Sequence, residues 1–208
     1  CGDSVRTQHI LRVGLFCVMV NATQPDREVA RVNIMKQDKL SPSEAELSNE
    51  EFVEQSYDRV QDMLKAGVPR KDILTRLAVA GEVLAGPGSS VSILILDEQG
   101  LLRNGASPSL PFDYLRAIDR LKPDARVGTC AAAAATGCPV MTPDFYADDK
   151  WAELRHLPLS LGFVGAWSMP IKSPEGAVLG TFGTYFRDRR SPTPVGTRGV
   201  EFLAKAAA

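Results

Sequence analysis

Residues 127–151, VGTCAAAAATGCPVMTPDFYADDKW, and residues 165–190, GAWSMPIKSPEGAVLGTFGTYFRDRR, decide the fold. In that order they spell a short Ala-rich helix, a wrapping loop, and two strands joined by a turn. Thr129 stands where an N-cap belongs, the helix runs from Cys130 to Thr136, and Gly137 closes it. The alanines after Cys130 remove bulk, so the helix can lie close against a sheet. Alternation along the first strand sends Trp167 and Met169 to one face and Ser168 to the other. Ser173-Pro-Glu-Gly176 makes the turn, Val178 to Phe186 returns, and Gly180 and Gly183 permit close backbone approach.

Working outward toward the N-terminus, SVSILILD (Ser90 to Asp97) reads as a buried central strand, and Leu101 to Ala106 returns antiparallel to it. Phe112 to Leu121 follows as a short helix with Tyr114, Leu115 and Ile118 inward. Ser48 and Glu51 form a capping box that opens an amphipathic helix. Phe52, Ser56, Val60, Met63 and Leu64 share one side of it, and Gly67 ends it. Pro69 opens a second helix whose stripe is Ile73, Leu77, Ala80 and Leu84, broadened by Leu74 and stopped at Gly86-Pro87-Gly88. Such helices make either a dimer face or, for the second, a layer on their own sheet. Ile10 to Val20 and Glu28 to Met35 read as a β-hairpin, the tail of a preceding domain or an added arm, and 36–47 as a polar loop. At the other end, Asp188 to Pro194 reads as an exit loop before a helix from about Gly199 to Ala208.

Together these stretches resemble the GAF domain of bacterial sensory and signal-transduction proteins. The resemblance rests on GTCAAA, GCPV, DFYADDKW, AWSMPI and GAVLGTF, and on SILILDEQGLLRNGASPSLPFDYLRAID upstream, and it spans about Glu50 to the end. It implies an α/β (α+β) fold, GAF-like and PAS-related, with a central antiparallel β-sheet flanked by helices and the N-terminal hairpin as an extra. The expected domains are the extension at 1–47 and the GAF domain at 48–208, whose C-terminal signalling helix reads as cut short. The implied function is sensory or regulatory: binding a small ligand or responding to redox state, and controlling a fused or partner output domain downstream. Sensor histidine kinases of two-component systems and cyclic-di-GMP enzymes of the GGDEF/EAL type are such outputs. Homodimerisation through the terminal helices is expected. The alternatives are a free methionine-(R)-sulfoxide reductase-like enzyme using Cys130 and a ligand-free dimerisation scaffold.

Composition bounds these readings. A chain of 208 residues, 44% hydrophobic and 24% charged, fits one globular domain plus an extension. A net charge of -1 with scattered Lys and Arg gives no nucleic-acid footprint. Val13 to Val20 is shorter than the roughly 20 residues that span a bilayer, so no membrane contact is expected of this segment. Cysteines at 1, 17, 130 and 138 match neither a zinc site nor a disulfide scaffold, and a reducing, cytoplasmic location is expected.

Seven residues are candidates for ligand binding: Cys130, Asp144, Trp151, Phe163, Trp167, Ser168 and Tyr185. At a helix N-terminus the Cys130 thiol would gain thiolate character; the alternative is a small, buried, inert side chain. Trp151, Phe163, Trp167 and Tyr185 read as aromatic pocket wall or as core. Asp144, Asp148, Asp149 and Glu153 read as loop caps, with a ligand contact reserved for Asp144; no metal site is expected. His156 is compatible with haem but reads as surface or structural. The sequence specifies no cofactor and no complete catalytic set. A reductase would need further cysteines in the flanking loops to resolve a sulfenic acid, and the loop 144–155 has none.

Overall fold

The computed structural model describes residues 48–208; the hairpin expected at Ile10 to Val20 and Glu28 to Met35 lies outside them. Five strands form one antiparallel sheet: β1 (Ser90–Leu96), β2 (Leu102–Ala106), β3 (Val140–Thr142), β4 (Gly165–Lys172) and β5 (Val178–Phe186), in the order β2-β1-β5-β4-β3. β5 is central, pairing Phe182 with Ile93 of β1 and with Met169 of β4. The helices divide between its two faces, as expected for this fold class.

On one face lie α1 (Asn49–Lys65), α2 (Arg70–Ala85) and α6 (Pro194–Ala206). The capping box is present: the Ser48 and Glu51 backbone N–H groups donate to Glu51 Oε2 and Ser48 Oγ at 3.0 and 3.3 Å. Phe52, Ser56 and Val60 are buried as expected, but Leu64 is 53% exposed, and its neighbour Met63 packs on the core instead. α2 buries more than its stripe, from Ile73 through Glu82, and packs on the sheet. There a Cβ on Gly81 would stand 2.5 Å from Phe182 Cζ, so only glycine lets the helix approach.

The last helix begins earlier than the sequence reading placed it. Thr193 caps it, accepting from the Gly196 N–H at 3.0 Å, and Pro194 occupies its first turn. That Thr-Pro pair is a start signal hidden inside what reads as an exit loop.

The other face carries α3 (Phe112–Ala117), α4 (Thr129–Thr136), α5 (His156–Ser160) and the loop 142–155. Tyr114 and Ile118 are buried here, and within α4 Ala131 to Ala134 are buried as the small-residue reading required. Gly128, not Thr129, is the N-cap of α4. It sits at φ +53°, and the Trp151 ring lies where its Cβ would point, 3.6 Å away.

Among the described residues no helix is long and apolar enough to cross a membrane.

Candidate functional site

Five of the seven expected site residues meet on the α4 face. Cys130, Trp151, Phe163 and Tyr185 belong to one buried cluster, and the Ser168 hydroxyl donates to Cys130 Sγ at 3.3 Å. The strand period places Thr181, Gly183 and Tyr185 on this face of β5. A Cβ on Gly183 would stand 2.8 Å from Cys130 Sγ, so the thiol rests directly on the strand backbone. Phe145 and Trp151 pack at 4.3 Å between centroids, Phe163 and Tyr185 at 5.6 Å, and Tyr114 meets Tyr185 edge-on at 5.9 Å.

Trp167 is a correction. It is buried in the core beneath α1, α2 and α6, on the sheet face away from Cys130. The alternation that puts Ser168 beside the thiol is what turns Trp167 away. Asp144 belongs to the loop: its Oδ1 accepts the Tyr146 N–H at 3.0 Å, and Arg189 pairs with Oδ2 at 2.8 Å.

The loop itself is closely tied. Asp148 accepts from the Thr142 hydroxyl at 2.7 Å, from the Lys150 N–H at 3.0 Å and from Lys150 Nζ. Partial burial pushes its carboxyl up, but the bonds from Lys150 and Thr142 outweigh this and hold it below the usual range. The Phe145 N–H reaches Val164 O at 2.8 Å and the Gly128 N–H reaches Lys150 O at 2.7 Å, so the loop is stitched to both β4 and α4. His156 is exposed at the start of α5, away from any enclosed pocket.

The chemistry of the cluster is that of buried neutral hydroxyls. Burial pushes the Cys130 thiol above its ordinary value of 9.0, and the nearby Ser168, Thr181, Thr129 and Tyr185 hydroxyls recover only part of the shift. Of the two readings of Cys130, the small, buried, inert side chain is the one this environment favours, because burial is the largest influence on the thiol. Tyr114 and Tyr185 are raised by burial too. Tyr114 Oη, Thr129 Oγ1, Thr181 Oγ1 and Trp151 Nε1 are all buried without a hydrogen-bond partner. Thr129 and Thr181 stand close enough to Cys130 to moderate its ionisation, yet their own hydroxyls are not satisfied. Sequence reasoning did not single out Thr129, Phe145 or Thr181 for the site; the period-2 relation of Thr181 to Tyr185 was the available signal.

Two measurable consequences follow from the thiols. Cys138 is exposed and Cys130 buried, so iodoacetamide followed by peptide mapping is expected to label Cys138 in the native protein and Cys130 only after unfolding. Equal labelling rates would contradict this packing. Above pH 9.0 the unfolded Cys130 loses its proton while the folded one retains it, so the unfolded state binds fewer protons and stability falls as pH rises. The stability is present in full below that pH and is lost progressively above it. Urea melts at pH 8 and 10 are expected to show the loss, with a shallower slope in Cys130→Ala.

This sheet order, with helices on both faces and a loop folded over a short helix, is the GAF fold. A solved structure of the GAF domain superposes with TM-score 0.62 at 19% identity, covering 83% of this chain and 93% of that one. Free methionine-R-sulfoxide reductase from Neisseria meningitidis, solved with its substrate, superposes with TM-score 0.59 at 18% identity over 81% of this chain and 89% of that one. The chain is also similar to the methyl sulfide methyltransferase-associated sensor of Methanosarcina acetivorans, 33% identical over 138 residues. That match covers 66% of this chain and 14% of the sensor, so the chain spans about one seventh of its curated relative. No family model matches the chain.

Proposed function

We propose that this chain is a sensory or regulatory module that takes a small ligand against the α4 face of the sheet and controls a fused or partner signalling domain. The observation that carries the reading is the pair of buried hydroxyls, Thr129 Oγ1 and Thr181 Oγ1, left without a well-aligned hydrogen bond beside Cys130. A buried hydroxyl without a partner costs about 1–3 kcal/mol, and a ligand with matching donors and acceptors removes that cost. The sensory name of the Methanosarcina relative supports the role.

Mechanistically, the ligand shifts a population. Residues 142–155 are stitched to α4 and β4, and a ligand favouring one packing of this loop alters the sheet on which α6 rests. Pairing of two copies through α1 and α6 would carry that change to the output, whether a histidine kinase or a cyclic-di-GMP enzyme.

The reductase reading is disfavoured by geometry. Among the described residues the other thiol is Cys138, which lies exposed past the Gly137 C-cap of α4, whereas Cys130 is buried in its first turn. Native mass spectrometry of freshly purified chain, compared with denaturing mass spectrometry, tests the sensory reading. A retained small molecule is the expected result. Bare protein that no candidate small polar molecule stabilises against melting would contradict it and favour a scaffold.

A further inference from the structure

The sheet face away from Cys130 carries a second opening, where β5 runs out into α6. A cleft of about 70 Å³ is lined by Trp167, Thr184 and Phe186 of the sheet, Leu84 of α2, and Arg190 and Thr193 of the connecting segment. One water needs roughly 10–15 Å³ by this measure, so the cleft has room for several waters or one compact organic molecule.

Three features give it a chemical preference. Thr184 is 1% exposed and its Oγ1 has no hydrogen-bond partner, although it lines the cleft. The Arg190 guanidinium lies 4.7 Å over the Phe186 ring; its Nε is 3.0 Å from Asp188 Oδ1, near enough to pair but not aligned as a hydrogen bond. The positive end of the α6 dipole also borders the cleft through Gly196, whose own N–H is already held by the Thr193 hydroxyl. Against these polar groups stand the Leu84 side chain and the ring carbons of Trp167, which offer apolar contact.

We propose that this cleft binds a short-chain carboxylate, its oxygens meeting the Thr184 hydroxyl and Arg190, and its hydrocarbon lying against Trp167 and Leu84. The Asp188 side chain is 65% exposed, so its pairing with Arg190 is a surface pair that an incoming carboxylate displaces at little cost. Occupancy holds α6 against the sheet from the face opposite the Cys130 cluster, giving the helix a second input.

The test is an NMR titration of the 15N-labelled chain with sodium butyrate at constant ionic strength, with 1-butanol as the neutral control. The expected result is saturable shifts at the Trp167 indole and the Thr184 and Gly196 amides, with midpoints weakened at least tenfold in Arg190→Gln and in Thr184→Val. Thr184→Val also checks folding, because exchanging an unpartnered hydroxyl for a methyl of the same shape should leave the melting temperature equal or higher. No saturable shift at these positions, an equal response to butanol, or unchanged midpoints in both variants would overturn the proposal.

Discussion

Gly180→Ala is expected to destabilise the protein by about 3 kcal/mol or more, because the added methyl has nowhere to go without breaking strand pairing. Gly180 pairs with Ile95 of β1 and Ile171 of β4, and its Cβ would run into the Leu94 carbonyl oxygen and within 3.0 Å of Ile95 Cα. Both are backbone atoms of the neighbouring strand, so no rotamer change relieves the contact. Gly176→Ala serves as a control, since its Cβ meets nothing within 4 Å and only its φ of +89° opposes the change. Urea melts should rank the two variants in that order, and equal midpoints would show that β1 and β5 are not paired in this register.

Glu82→Ala is the second large effect expected, again about 3 kcal/mol. Glu82 is 3% exposed on α2; its Oε1 accepts the Val91 N–H at 3.1 Å and its Oε2 accepts the Ser109 hydroxyl at 2.8 Å. One carboxylate thus joins α2, the start of the central strand and the segment leading to α3, which carries Tyr114 into the site. Truncation strands a buried donor at Val91 and a half-buried one at Ser109, whereas Glu82→Gln keeps an acceptor for Val91 and is expected to cost about 1 kcal/mol. At about 2–4 °C per kcal/mol for a domain of this size, the alanine variant should melt near 10 °C lower than wild type. A fall equal in both variants would show that the charge-bearing oxygens are not what holds the segment.

These two residues also show what the sequence could and could not disclose. Gly180 was legible as a place of close approach, because a glycine inside an otherwise apolar strand has few other uses. Glu82 was not: it lies beside an apolar stripe in a helix that reads as one-sided, and only the tertiary fold supplies the Val91 N–H and Ser109 hydroxyl that make its burial tolerable. The same division runs through the site. Alternation correctly set Trp167 and Ser168 on opposite faces, yet grouping aromatics by type put Trp167 with the Cys130 cluster, whereas it lines the cleft on the other face. Cys130 was correctly placed in the first turn of α4, but the depth of burial that raises its thiol is a property of Gly183, Ser168 and the loop above it, none adjacent in sequence. The turn of α6 begun by Thr193 and Pro194 was present in the residues and was masked by the prolines around it.

The central claim is that the contents of the Cys130 cluster set the state of residues 142–155 and of α6 together. Amide hydrogen exchange, compared between the chain with and without a molecule that mass spectrometry identifies as bound, tests this most directly. Slower exchange in both 142–155 and α6 when the molecule is present is the expected result. Protection confined to the cluster, with α6 exchanging at the same rate in both forms, would contradict it.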